Sequence, residues 1–131
     1  MGCGRTGARL ADMLASAQHD VAVVDWDVRA FTRLSDDFAG TVVHGNAMDQ
    51  DSLRRAGIEA ADVFVAATSG DNRNVMASQV AQQVFHVPRV ISRIKDPIRA
   101  DIYSQLGIHV DCRTTAGAEA VLELIGEDGG A

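Results

Sequence analysis

Met1-Gly2-Cys3-Gly4-Arg5-Thr6-Gly7 opens the chain as a Gly-x-Gly-x-x-Gly run, and Leu10, Met13, Leu14 and Ala17 follow it at helical spacing. A turn of this kind running straight into a helix is a phosphate cradle. Gly2 permits the tight strand-to-helix turn, Gly4 lets a pyrophosphate approach bare backbone, and Gly7 lets the helix pack closely on the sheet. Free N–H groups at the helix start then face the anion, with the helix dipole aligned to favour it. Three spaced glycines decide little in a chain that has 12 of them, because glycine serves many turns. The context decides: Val21-Ala22-Val23-Val24 runs into Asp25, eighteen residues after Gly7, where a dinucleotide fold places the acid that accepts hydrogen bonds from ribose hydroxyls.

The rest of the chain alternates short apolar runs with helical stretches, the mark of βαβ units and a parallel sheet. After Asp25, the spacing of Val28, Phe31, Leu34 and Phe38 predicts a helix capped by Asp27 and ended by Gly40. Thr41-Val42-Val43 is the next strand and leads into the loop His44-Gly45-Asn46-Ala47. A short helix starts at Asp49 or Asp51 and is closed by Gly57, with Ile58 folding back. Residues 62–67 read as a buried central strand entering a second polar loop, Thr68-Ser69-Gly70-Asp71-Asn72.

A helix is expected from about Asn72 to Phe85 with Ala77, Val80, Ala81 and Val84 on one face, ending before Pro88. Residues 90–94 form a strand, Asp96-Pro97 starts a helix, and Ile98, Ile102 and Leu106 are expected to face inward up to Gly107. Residues 108–111 make a last short strand. Thr115 can cap a final helix carrying Ala118, Val121, Leu122 and Ile125, and residues 126–131 read as a loose, flexible tail. The expected organisation is a single α/β domain, a Rossmann-like doubly wound parallel sheet over 1–115, with a C-terminal helix at 116–125. Five strands follow the turn, yet in the 3-2-1-4-5-6 order one more precedes it at the centre of the sheet. Met1 is accordingly expected to be the last residue of a truncated first strand.

A chain of 131 residues suits one core, and 47% apolar with 23% charged residues is ordinary globular composition. Twelve basic against eighteen acidic residues give a net charge of −6, without the basic field that draws proteins to nucleic acid. No apolar run reaches the ~18 residues that span a bilayer, so no direct membrane insertion is expected and the compartment is read as cytoplasmic. Cys3 and Cys112 belong to no Cys-x-x-Cys pair, and His109-Val110-Asp111-Cys112 alternates strand faces; neither supports a metal site.

GCGRTG, VAVVDWD, VVHGNAMD, the stretch from Ala66 to Asn74 and RVISRIKDP, in that order, closely resemble the amino-terminal domain of the TrkA/KtrA potassium-transport regulators, the RCK (regulator of potassium conductance) domains. The resemblance covers residues 2 to 115. It implies a dimeric cytosolic gating subunit, a homodimer or larger RCK assembly, that binds NAD(H), ATP or ADP and passes the ligand state to a membrane potassium transporter subunit. It would sit at the membrane only peripherally, through that transporter. The family's second, carboxy-terminal RCK module is not among these residues.

Carried over residue by residue, Gly2, Cys3, Gly4, Arg5, Thr6 and Gly7 make the phosphate turn, with Arg5 reaching nucleotide phosphates. Asp25 is the ribose-binding acid, and Trp26 lies along the adenine or else packs. Asn46 and Ala47 fall where the family usually has Asp-Ala beside the adenine, so Asn46 departs from the pattern. Thr68 and Arg93 lie along the ligand edge. Arg5 can instead be simply solvated, Asp27 a helix cap, and Arg93 the partner of an acid in the sheet.

NAD(H) is the first ligand expected, because the Asp25 carboxylate would repel a 2′-phosphate and so disfavour NADP. An ATP/ADP sensor of the same fold is the alternative, since a further phosphate would reward Arg5. A truncated NAD-dependent oxidoreductase is another. Catalysis is not expected: short-chain reductases place a lysine four residues after their tyrosine, but Tyr103 is the only tyrosine, Gly107 holds that position and Lys95 is the only lysine.

Overall fold

A computed structural model describes the backbone of residues 1–129. Its elements run α1 (Arg5–Ser16), β1 (Ala22–Asp25), a 3-10 helix (Val28–Arg33), β2 (Thr41–His44), α2 (Gln50–Arg55), a 3-10 turn (Ile58–Ala60), β3 (Val63–Ala66), α3 (Asp71–Gln83), β4 (Arg89–Arg93), α4 (Pro97–Gln105), β5 (His109–Asp111) and α5 (Arg113–Gly129). All strand pairs are parallel: β1 with β2, and β3–β4–β5 in sequence order.

Met1 and Gly2 lie between these two groups of strands and tie them together. The Gly2 amide donates to the Val24 carbonyl (2.9 Å), the Ala67 amide to the Met1 carbonyl (2.9 Å), and the Met1 amino group to the Val65 carbonyl (2.7 Å). All five expected later strands are present.

Helices cover both faces, and β1 shows why. Val23 packs with Cys3, Ala8, Ala11 and Ala30 beneath α1 and the 3-10 helix, while its neighbour Val24 points the other way, into the core shared by Leu53 of α2 and by Ala77 and Ala81 of α3. Successive strand residues alternate faces, so a strand covered on both sides must be apolar throughout.

Four local expectations are corrected. The α-helix expected through Phe38 is a 3-10 helix that stops at Arg33. Leu34 is extended (ψ 149), and the Ser35 amide donates to both Asp12 carboxylate oxygens at 3.2 and 3.1 Å, which diverts the donor that the next helical turn would use. Phe31, Leu34 and Phe38 still pack against the core without a continuous helix to carry them.

On α3 the buried face is Asn74, Val75, Ala77, Ser78 and Ala81, the helix ends at Gln83, and Val84 is exposed. Ile98, Ile102 and Leu106 of the α4 segment point outward, at 73%, 52% and 56% exposure; the face turned inward is Ala100, with Tyr103 against Val75 and Ile94. Finally, α5 starts at Arg113, so Thr115 lies inside it. Residues 126–129, read as tail, are helical, and Gly130 and Ala131 fall outside the described residues. Val121, Leu122 and Ile125 are exposed.

Caps behave as their chemistry requires. Asp27, Asp49 and Asp96 each accept from the amide two residues on, and Gly57 closes α2 in the left-handed region (φ 88). No described helix is long and apolar enough to cross a membrane.

Candidate functional site

The three glycines of the turn answer to three different constraints. Gly2 has φ +95, and a Cβ there would stand 2.9 Å from the Thr68 amide nitrogen. A Cβ on Gly7 would overlap the Gly2 carbonyl oxygen, so this glycine lets α1 close down on the turn. Gly4 differs: a Cβ there would meet nothing within 4 Å. Its bare face looks into open space rather than against protein.

That space is a cleft of about 460 Å³ at the carboxyl ends of β1, β2 and β3, the edge at which open α/β sheets take ligands. It gathers Gly2, Cys3, Gly4, Arg5, Thr6, Asp25, Trp26, Asn46, Ala47, Thr68 and Arg93, which are far apart in sequence. Of the expected site residues only Gly7 stays out, being packed beneath the turn. The N-cap of α1 is Gly4, whose missing side chain leaves the first amides of the helix uncapped toward the cleft.

Asp25 is braced by backbone. Its Oδ2 accepts from the Cys3 amide (2.8 Å) and its Oδ1 from the Asp27 amide (2.9 Å). A carboxylate has about four acceptor positions, so Asp25 is fixed in place and keeps capacity for two further donors, which matches a vicinal diol. Cys3 therefore contributes backbone alone. Its thiol is buried in the core, and burial, with the Asp25 charge next in importance, pushes its pKa up. Asp27 is held below the usual carboxylate range by hydrogen bonds from Arg29.

In the loop after β2, Asn46 Oδ1 accepts from the Met48 amide (2.9 Å), which shapes the loop, and Ala47 is buried. Trp26 is 66% exposed at the mouth, not packed in a core.

Across the cleft, the Thr68 hydroxyl is already engaged, donating to Asn74 Oδ1 (2.6 Å) and accepting from the Gly70 amide (3.2 Å). Arg93 lines the cleft with its Nε buried and unpartnered; no acid of the sheet pairs with it among the described residues. The ion pairs among the described residues belong to Arg29, Arg54 and Arg113. Arg5, Arg33, Arg73 and Arg93 thus face the cleft unpaired, a local positive field on a chain whose net charge is −6.

Sequence reasoning missed three contributors. Asn74, fully buried in the first turn of α3, donates to the carbonyls of Thr68 (2.9 Å) and Arg93 (2.8 Å) and accepts from the Thr68 amide (3.0 Å), stapling the ends of β3 and β4. The available signal was a polar residue on the Ala77/Ser78/Ala81 stripe. Arg33 and Arg73 were hidden as ordinary surface arginines, because nothing in their spacing marks the cleft.

The TrkA-N domain family matches residues 1–112. The chain belongs to the TrkA-N family. Among curated relatives, the "Trk system potassium uptake protein TrkA" of Streptomyces coelicolor is 51% identical over 108 residues, covering 82% of this chain and 48% of that protein. The chain spans about half the length of the curated relatives it matches. Among solved structures, the TrkA-N domain of the inner membrane protein ybaL from Escherichia coli superposes with a TM-score of 0.83 at 19% identity, over 95% of this chain and 92% of that one. The Shewanella denitrificans Kef C-terminal domain in its AMP-bound form gives 0.72 at 23% identity, over 94% and 77%. These neighbours share the α/β fold with this TrkA-N domain.

Proposed function

We propose that this TrkA-N domain is the nucleotide-sensing module of a cytosolic regulatory subunit in a potassium-uptake system. An adenine nucleotide, NAD(H) first, binds with its diphosphate against the bare backbone of Gly4 and the amides that open α1, and with its ribose on Asp25. The observation that carries the reading is the convergence of an uncapped helix start, an open glycine face and a doubly braced carboxylate in one cleft. The naming of the Streptomyces relative as a potassium uptake protein and the AMP in the Kef domain support it.

The site binds rather than reacts. Binding free energy goes into a conformational equilibrium, which the ligand shifts by preferring one arrangement of the assembly. The assembly in this reading is a homodimer or a larger RCK assembly, docked on a membrane transporter. The exposed Ile98, Ile102 and Leu106 stripe is a surface a second copy can cover.

ATP or ADP at the same site is the second reading, favoured by the unpaired Arg5 and the unpartnered Arg93 Nε. Calorimetric titration of NADH, ATP and ADP, singly and in competition, tests both. One shared site with NADH preferred supports the first reading, and ATP or ADP preferred supports the second. No competition between ligands that do bind contradicts a single cleft.

A further inference from the structure

Trp26 stands 66% exposed at the mouth of the cleft, yet the main chain around it is held at three points. Asp25 Oδ1 accepts from the Asp27 amide at 2.9 Å, an Asx turn that closes over Trp26. The 3-10 helix that follows is tied back to the phosphate turn at its far end, where Arg33 Nη1 donates to the Cys3 carbonyl at 3.5 Å. The third hold comes from β2. The Gly45 amide closes the β1–β2 pairing on the Asp25 carbonyl (3.0 Å), and one residue further along the chain His44 Nε2 lies 2.8 Å from the Trp26 carbonyl oxygen. A carbonyl oxygen only accepts, so His44 carries a proton on Nε2 in this contact and donates it.

His44 is itself firmly seated. Arg55 Nη2 donates to its carbonyl (3.5 Å) and to Ser52 Oγ (3.2 Å), and a Cβ on the next residue, Gly45, would overlap Ser52 Oγ. The turn after β2 therefore sits directly on α2, and the imidazole reaches Trp26 from a fixed base. His44 does not line the cleft, so whatever it contributes to a ligand passes through Trp26.

Large aromatic side chains are mostly buried in folded chains, and an indole left in water forgoes the burial that would stabilise it. An exposed indole on a main chain fixed at three points is a flat apolar surface ordered before any ligand arrives. The base of a nucleotide whose ribose sits on Asp25 leaves that sugar beside the residue that follows Asp25.

We propose that His44 is a positioning residue for the base: by holding the Trp26 carbonyl it sets the indole as the platform on which the base stacks. This rests on the nucleotide reading of the main cleft. The site then selects by stacking area, purine over pyrimidine, while the ribose and diphosphate contacts are common to both.

ADP and UDP, which share ribose and diphosphate, test this by calorimetry alongside the emission of Trp26, the only tryptophan of the chain. ADP is expected to bind at least about fivefold more tightly than UDP and to quench Trp26. Trp26→Leu is expected to reduce that preference to less than about twofold. His44→Phe, at an exposed position, is expected to leave the thermal midpoint within about 2 °C and to lower the fluorescence anisotropy of Trp26 in the free protein. It is expected to weaken ADP about threefold while changing UDP affinity by less than about twofold. His44→Gln keeps a side-chain N–H donor and is expected to restore both the anisotropy and the ADP affinity.

Equal affinity for ADP and UDP, a preference that survives Trp26→Leu, or a His44→Phe variant that binds both nucleotides as before or weakens both alike overturns the positioning role and leaves the main cleft standing. If neither nucleotide binds, the nucleotide reading falls and takes the role of His44 with it.

Discussion

Gly4 and Gly7 are the same residue type three positions apart, and substitution separates their roles. Gly7→Ala drives a methyl into the Gly2 carbonyl and is expected to cost about 1–3 kcal/mol of stability, read as a lowered thermal midpoint. Gly4→Ala meets no protein atom, so the fold is expected to hold while nucleotide affinity drops at least tenfold by calorimetry. Asn74→Ala leaves the Thr68 and Arg93 backbone groups without their partner. A loss of about 3 kcal/mol is expected, roughly 10 °C in midpoint, together with weaker nucleotide binding because β3 and β4 then end less rigidly at the cleft.

The two cysteines should separate as well. Cys3 is buried with its pKa raised above the ordinary 9.0, so its neutral thiol is expected to resist iodoacetamide at pH 7.5 while the half-buried Cys112 is alkylated, as peptide mass spectrometry would read. The stability conferred by keeping Cys3 neutral is present in full below 9.0 and is lost as the pH rises through the higher folded value. The turn and Asp25 were legible from sequence because their spacing is that of a recurrent strand–turn–helix–strand motif. Asn74 and Arg33 were not, because their roles depend on which strand ends and which carbonyl lie nearby in space.

At the scale of the element, apolar spacing located nearly every helix and strand but left open which face is buried. The i, i+4 row of Ile98, Ile102 and Leu106 reads as a core stripe, yet it is Ala100 and Tyr103 that take the inward side, packed with Val75 and Ile94. The 3-10 helix at Val28–Arg33 was likewise invisible, since what diverts the next turn is a carboxylate 23 positions upstream. The outward row carries its own prediction. Ile102→Glu is expected to leave the thermal midpoint of the isolated fold within about 2 °C, as exposed substitutions do. In light scattering after size exclusion it is expected to convert a dimeric species to the monomer mass. An unchanged dimer would place the interface elsewhere.

For the whole molecule, the sheet is joined at its centre by the residues that also make the phosphate turn. Met1 and Gly2 hold Val24 on one side and Val65 and Ala67 on the other, so a ligand seated on the turn braces both halves at once. The doubly wound arrangement was readable from the βα alternation, whereas sequence pattern does not single out which outward faces another chain would cover. The thermal midpoint of the purified protein with and without NADH, ADP and ATP tests the binding reading most directly. Ligand at about one hundred times its dissociation constant should add roughly 2.7 kcal/mol, a rise of several degrees that Gly4→Ala abolishes. A midpoint that stays put with all three nucleotides would mean that the cleft between the turn and Asp25 holds no adenine nucleotide.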